Sequence, residues 1–317
     1  LTSHDPADPA AVRDRGPAHT VGVDIGGTTI KAAVIDRSGR IVDTLSAPTP
    51  DTTDATDDAL VAVISELAER HPVRAVGLAV AGFITADRQS VMFAPHLAYR
   101  DSRVPSRLGD RLGLPVVMEH DVNAAVWAEH RIGAAVGADV ALLIALGTGI
   151  GAGLIVGERI YRGAFGVAPE LGHITVVPGG RPCPCGKVGC WERYCSGTAL
   201  AQTAAERGME APGPITGQLV GRAARDGHPT ALAAVDDLGE WLARGMALAI
   251  DVFDPEVIVI GGGVSSIADL FLPAAEDRLG ELVTGAGYRP MPKVVAAHLH
   301  DTASMVGAGL LARDPHH

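Results

Sequence analysis

The sequence predicts an α/β protein whose strands are buried between helices. Three observations carry this reading. Of 317 residues, 47% are hydrophobic but only 4% are aromatic, so the core is built from Ala, Val, Leu and Ile, as in strands covered on both faces. Short apolar segments of strand length alternate with longer segments of helical period. The 39 glycines gather in short runs between these segments, where a tight turn or a closely approaching ligand needs backbone without a side chain.

Residues 1–18 are polar, rich in Asp, Pro and Ala, and without period, which reads as a disordered tail. A three-strand meander follows. Val21, Val23 and Ile25 alternate, Gly26-Gly27 turns the chain, Ile30 to Ile35 returns, and after Ser38-Gly39 a third strand runs from Ile41 to Leu45. Thr53 to Arg70 carries Leu60, Ile64, Leu67 and Ala68 on one helical face. Val73 to Val80 reads as a buried strand, Asp101 to Leu112 as a helix, Pro115 to Glu119 as a short strand and Val122 to Ile132 as a helix. Asp121 therefore stands where a strand ends and a helix begins, the kind of junction at which open sheets bind ligands.

The second half repeats the grammar. Val140 to Leu146 and Ala152 to Val156 read as strands around a Gly-Thr-Gly turn, and with the opening hairpin they suggest a duplicated unit. The apolar segment Ile174 to Val177 precedes helices at Thr198 to Arg207, Thr216 to Arg225 and Thr230 to Phe253. Glu256 to Ile260 is a buried strand ending in three glycines, Pro292 to Ala297 a last strand, and Thr302 to Ala312 a last helix in which Gly307 and Gly309 permit close packing. The expected division is a small α/β domain over 19–120 with 302–317 and a larger one over 121–301.

A net charge of −11 with no basic stripe argues against a nucleic-acid partner. It does not oppose ATP, which Mg²⁺ and backbone amides can hold. The longest uncharged run, Val140 to Gly157, is long enough for a membrane span, but its five glycines favour two strands over an embedded helix. No apolar signal core precedes the first strand, so the expected location is the cytoplasm.

Three glycine loops carry the candidate chemistry. In Asp24-Ile-Gly-Gly-Thr-Thr-Ile-Lys31, Gly26, Gly27 and Thr28 offer free N–H groups to phosphate oxygens, with Lys31 beside them and Asp24 placed for a water of Mg²⁺. Taken alone, this segment reads equally well as an ordinary hairpin. Gly147, Thr148 and Gly149 form a second loop of the same kind. Gly262 and Gly263 end a buried strand and could approach an adenine or ribose. All four cysteines lie between 183 and 195, a local cluster that suits a metal better than a disulfide framework.

These loops, the Glu-x-Asp-x-Asn-Ala segment at 119–124, and Glu170-Leu-Gly-His173 ahead of the cysteines resemble the ROK family (repressor, open reading frame, kinase) over about residues 20–313. Within it the resemblance is to actinobacterial glucokinases. It implies a two-domain actin-like ATPase (ribonuclease H-like) fold with ATP and sugar in the cleft. It implies that Asp121 is the base that takes the proton of a sugar 6-hydroxyl during in-line phosphoryl transfer; the same side chain suits an N-cap. Asn123 would brace the loop. Glu170, His173 and Glu192 would hold sugar hydroxyls. His173, Cys183, Cys185 and Cys190 would bind a structural Zn²⁺, one imidazole nitrogen on the metal and the other toward the sugar, with Cys195 left as a free thiol. Relatives form dimers or tetramers. Repressors of the family carry a helix-turn-helix, for which the 18-residue tail has no room.

Two positions depart from the family's glucokinases. His120 replaces an Asn before the catalytic Asp, and His96 replaces the Asn of Ala-Pro-Asn. Both Asn residues lie against the sugar's 3- and 4-hydroxyls. An imidazole is bulkier and offers one donor and one acceptor where an amide offers two donors and an acceptor. The expected substrate is therefore altered at C3 or C4, with a 3-amino sugar such as kanosamine favoured, as in the kanosamine 6-kinases of antibiotic biosynthesis. The alternatives are glucose itself, an N-acetylated hexosamine, and a sugar-sensing regulator without catalysis.

Overall fold

The structure, a computed structural model, describes residues 19–314; the tail read over 1–18 lies outside them. The meander forms as expected: β1 (His19–Ile25), β2 (Thr29–Ile35) and β3 (Ile41–Pro48) pair antiparallel in sequence. The Thr52 side chain caps α1 (Thr53–Arg70) by accepting the Ala55 N–H. β4 (Val73–Val80) lies parallel to β1. Three short strands, β5 (Phe83–Ile84), β6 (Val91–Phe93) and β7 (Arg100–Ser102), make a separate small sheet. They are too short to show alternation in the sequence. β7 takes the first residues of the helix expected over 101–112, and α2 (Val104–Leu112) starts only beyond it, with Pro105 in its first turn. β8 (Val116–His120) completes a sheet ordered β3-β2-β1-β4-β8.

After α3 (Asp121–Ile132) come β9 (Val140–Leu146), β10 (Ile150–Val156) and β11 (Arg159–Ile160). Ile174–Val177 is not a strand; it contributes only a single bridge, Thr175 to Cys190. Then follow α4 (Gly197–Glu206), α5 (Gly217–Arg225), α6 (Pro229–Phe253), β12 (Val257–Gly261), α7 (Ala268–Leu282), β13 (Lys293–Ala296) and α8 (Ala303–Arg313). No helix is expected at α7 from the sequence, where a glycine run leads in and Pro273 interrupts; Phe271, Leu272, Ala275 and Leu279 nonetheless bury one face of it. The second sheet is ordered β11-β10-β9-β12-β13. Both sheets thus read third-second-first-fourth-fifth, with two antiparallel and then two parallel pairings. The duplicated unit suggested by the two glycine hairpins is real.

α1 and α2 cover the outer face of the first sheet, and α4 to α7 that of the second. α3 and α8 lie between the sheets. Alternation along β9 serves both sides: Leu142, Ile144 and Leu146 face the outer helices, and Ala141 and Leu143 face α3. The central layers meet backbone to backbone. A Cβ at Gly22 would overlap the Met305 carbonyl of α8, one at Gly77 the Ala308 carbonyl, and one at Gly307 the Ala124 carbonyl of α3. Gly77→Ala should therefore destabilise the fold by about 3 kcal/mol, because main chain cannot yield as a side chain can. Gly280→Ala, in α7 with nothing within 4 Å, should instead stabilise by about 0.5 kcal/mol. Denaturant midpoints of the two variants check both signs. Among the described residues no helix is long and apolar enough to cross a membrane.

Candidate active site

Strand register brings the first group of residues together. Ile25, Val80 and His120 stand side by side at the carboxyl edge of the first sheet, so the loops that follow β1, β4 and β8 leave from one line. Asp24 sits on β1, one residue before that line. Burial and the nearby Asp121 carboxylate push its carboxyl up to about 6, against a hydrogen bond from Ser304 and the charge of Lys31. Lys31 itself pairs with Asp301 at 3.6 Å.

Asp121 is the first residue of α3 rather than its cap; the capping position belongs to His120, which makes no side-chain cap bond. Asp121 Oδ1 accepts the Val122 N–H at 2.8 Å and lies 3.3 Å from His120 Nε2. A carboxylate here faces the positive end of the helix dipole. Glu170 joins this group: burial raises its carboxyl, the charges of His120 and His173 pull the other way, and those of Asp121 and Glu192 add to the rise. Its oxygen lies 3.9 Å from His173 Nε2. His120, Asp121, Glu170, His173 and Glu192 are therefore assembled from β8, α3 and the segment between β11 and α4.

His96 is placed differently. It is exposed and backs onto the first glycine loop, where a Cβ on Gly27 would come within 2.8 Å of its own. Among the described residues no hydrogen bond or ion pair joins His96 to the group around His120 and Asp121; it stands on the loop between β6 and β7.

Glu192 links this group to the second glycine loop. Its Oε2 accepts the Ile150 N–H at 3.4 Å, and a Cβ on Gly149 would collide with that oxygen. The third loop seats on the second: Gly262 has φ +78°, and a Cβ there would lie 2.5 Å from the Leu146 carbonyl oxygen, so only glycine fits. Beside Gly147, Thr148 and Gly263 opens a cavity of about 830 Å³ between the N-termini of α4 and α5. Its other walls include Thr198, Thr216, Gln218 and Arg222, none marked by a glycine loop in the sequence. The available signal was Ser196 and Thr216, whose hydroxyls cap these two helices. Gly26, Gly27 and Thr28 do not line this cavity.

The four expected metal ligands converge. The donor atoms of His173, Cys183, Cys185 and Cys190 all lie within 4.8 Å of one another. Cys185 Sγ is 3.7 Å from Cys190 Sγ, and Cys183 Sγ is 3.7 Å from His173 Nδ1. A tetrahedral zinc ion separates two thiolates by about 3.8 Å and a thiolate from an imidazole nitrogen by about 3.6 Å. The donor set therefore fits that ion, and the sulfur separation is far too long for a disulfide. Trp191, next to Cys190, anchors the loop on α6: its Nε1 donates to Trp241 O at 2.8 Å, over Gly245, which has no room for a Cβ. Cys195 lies outside the cluster, fully buried.

Glu119, two residues before Asp121, holds a buried network that the short motif only hints at. Its Oε1 accepts from His120 N and Asn123 Nδ2, both at 3.0 Å. Its Oε2 accepts from Arg162 Nε at 2.8 Å and Nη2 at 2.6 Å. Asn123 braces the junction, as expected.

Two duplicated α/β lobes, a glycine loop from each and a carboxylate at the strand–helix junction between them define a phosphotransferase of the actin-like ATPase fold. The chain belongs to the ROK family, whose model matches residues 20–315. It is 40% identical to a glucokinase of Streptomyces coelicolor over 310 residues, covering 93% of this chain and 98% of that one. A glucokinase of Halalkalibacterium halodurans is 35% identical, with 92% and 94% covered. The crystal structure of a ROK family glucokinase from Streptomyces griseus, in complex with glucose and AMPPNP, superposes with a TM-score of 0.85 at 41% identity, covering 93% and 99%. The chain is a sugar kinase of this family.

Proposed function

We propose that this kinase transfers the γ-phosphoryl group of ATP to the 6-hydroxyl of a glucose-configured hexose. The observation that carries the reading is the position of Asp121: one oxygen is tied to the Val122 N–H, leaving Oδ2 for an acceptor hydroxyl beside Glu170 and His120. The 830 Å³ cavity is of nucleotide size, and the N-termini of α4 and α5 suit an anionic ligand. The Streptomyces griseus relative holds glucose and a nucleotide analogue together.

Mg²⁺ would be held with the nucleotide near Asp24. Asp24 keeps its proton more tightly than an unfolded chain would, so it favours folding at low pH and loses that contribution as pH rises through about 6. Metal and proton compete in the same window. The Mg²⁺ concentration for half-maximal rate should therefore rise below pH 6, approaching tenfold per unit, and Asp24→Asn should flatten that dependence. Zn²⁺ would occupy the His173, Cys183, Cys185 and Cys190 cluster and fix the aim of His173 toward the acceptor.

His96 and His120 favour an acceptor with an amino group at C3, kanosamine, over glucose. An ammonium offers only donors, and the unprotonated imidazole nitrogens together with Glu192 would supply acceptors where the family's Asn residues suit a hydroxyl. The test is kcat/KM for kanosamine and for glucose, expected to favour kanosamine by at least tenfold. The double variant His96→Asn/His120→Asn should shift the ratio toward glucose. A wild-type preference for glucose would remove the amino-sugar reading and leave a plain ATP:glucose 6-phosphotransferase.

A further inference from the structure

Asp121, read as the base, opens α3 directly after β8 of the first sheet, and Glu170 stands on the segment after β11 of the second. One side chain touches both systems. Glu119 is 1% exposed, yet its carboxylate is met by donors on both oxygens. On one oxygen it fixes the main chain of His120 and the first turn of α3 through Asn123, which is also 1% exposed. On the other it takes Nε and Nη2 of Arg162, and Arg88 Nη1 lies 4.0 Å from the same oxygen. Arg162 follows β11 of the second sheet, and its carbonyl accepts the Ala168 N–H at 3.2 Å, closing the loop that leads into Glu170. Gly166 of that loop lies against Ile84 and Ala86 of the first lobe.

We infer that Glu119 is a positioning residue that holds the base and the Glu170 loop in one frame across the two lobes, with Arg162 as its partner. This rests on the reading of Asp121 as the base. Two N–H groups of one planar guanidinium converge on a single carboxylate oxygen, which fixes the orientation of Arg162 as well as its distance. Glu119 is shielded from water, so its carboxylate has no ready substitute for Arg162 and the two strand ends stay joined. Glu119 does not reach the acceptor; it acts through the backbone that carries Asp121.

The test is a double-mutant cycle on the full chain. Glu119→Gln keeps an acceptor for His120 N but loses the ionic partner of Arg162. It should lower kcat about 50-fold and leave AMPPNP affinity within twofold. In an Asp121→Asn background the same substitution should cost less than threefold, because there is no base left to misplace. Arg162→Lys, which keeps the charge but not the two converging N–H groups, should cost about tenfold in the wild type and less than twofold beside Asp121→Asn. It carries the test alone if Glu119→Gln does not fold. A loss that persists at full size in the Asp121→Asn background, or a parallel loss of nucleotide affinity, overturns the inference and leaves the base reading standing. Intact turnover in Asp121→Asn alone overturns both.

Discussion

Asp121→Asn is expected to lower kcat for hexose phosphorylation by about 10³-fold, within the range a positioned base contributes, while the sugar KM stays within about threefold. The substitution isolates proton transfer because so little else changes. An Asn Oδ1 can still accept the Val122 N–H that Asp121 accepts at 2.8 Å, so the start of α3 keeps its anchor. What is lost is the negative charge at the helix N-terminus, about 0.5 kcal/mol of stability, and, on the proposed function, the lone pair that would take the hydroxyl proton. Initial rates at saturating ATP, with a melting curve on the same sample, separate these effects. A variant turning over within tenfold of wild type would rule out Asp121 as the base.

The second large effect is expected on removing the metal. Cys190→Ala should abolish stoichiometric zinc, lower the melting temperature and reduce kcat/KM at least 100-fold. Between His173 and Glu192 the chain forms only brief 3₁₀ turns and isolated bridges. Scattered bonds such as Val176 N to Gly189 O at 2.8 Å and the Trp191 anchor support the loop without a regular element, and it delivers His173 to Glu170 and Glu192 to the second glycine loop. On the proposed function, losing a cross-link there would loosen His173 and Glu192 together. Cys195→Ala is the control: that thiol is buried outside the cluster and should keep its zinc. Metal content by mass spectrometry, read beside activity, decides it; a zinc-free Cys190→Ala enzyme with undiminished kcat/KM would show that the loop needs no metal.

Much of this architecture was legible in the sequence where local pattern and tertiary role coincide. The meander, the 53–70 helix and both glycine hairpins follow from period and turn chemistry alone. The matching strand order of the two sheets turns the resemblance between those hairpins into a repeat. α7 and the β5–β7 sheet were not legible, because Pro273 masks a helix fixed by tertiary packing and two- or three-residue strands have no period to read. Asp121, Glu170, His173, Glu192, Cys183, Cys185 and Cys190 are singled out in the sequence through motifs that resemble the family's, and the structure brings them close together. Glu119 was harder: the 119–124 segment gives no sign of its partner, Arg162, which lies 43 residues on. The wall of the large cavity was also hidden, since it is made by helix ends brought together only in three dimensions.

Gly22 and Gly77 set α8 on the first sheet, Gly307 sets it on α3, and Gly153 sets α3 on the second sheet at the Val122 carbonyl. Across the middle of the molecule, the thickness of the stack is thus dictated by peptide groups in direct contact. At those glycines the approach of the layers is limited by main chain, while Val126, Leu143, Ile155 and Leu311 fill the space around them.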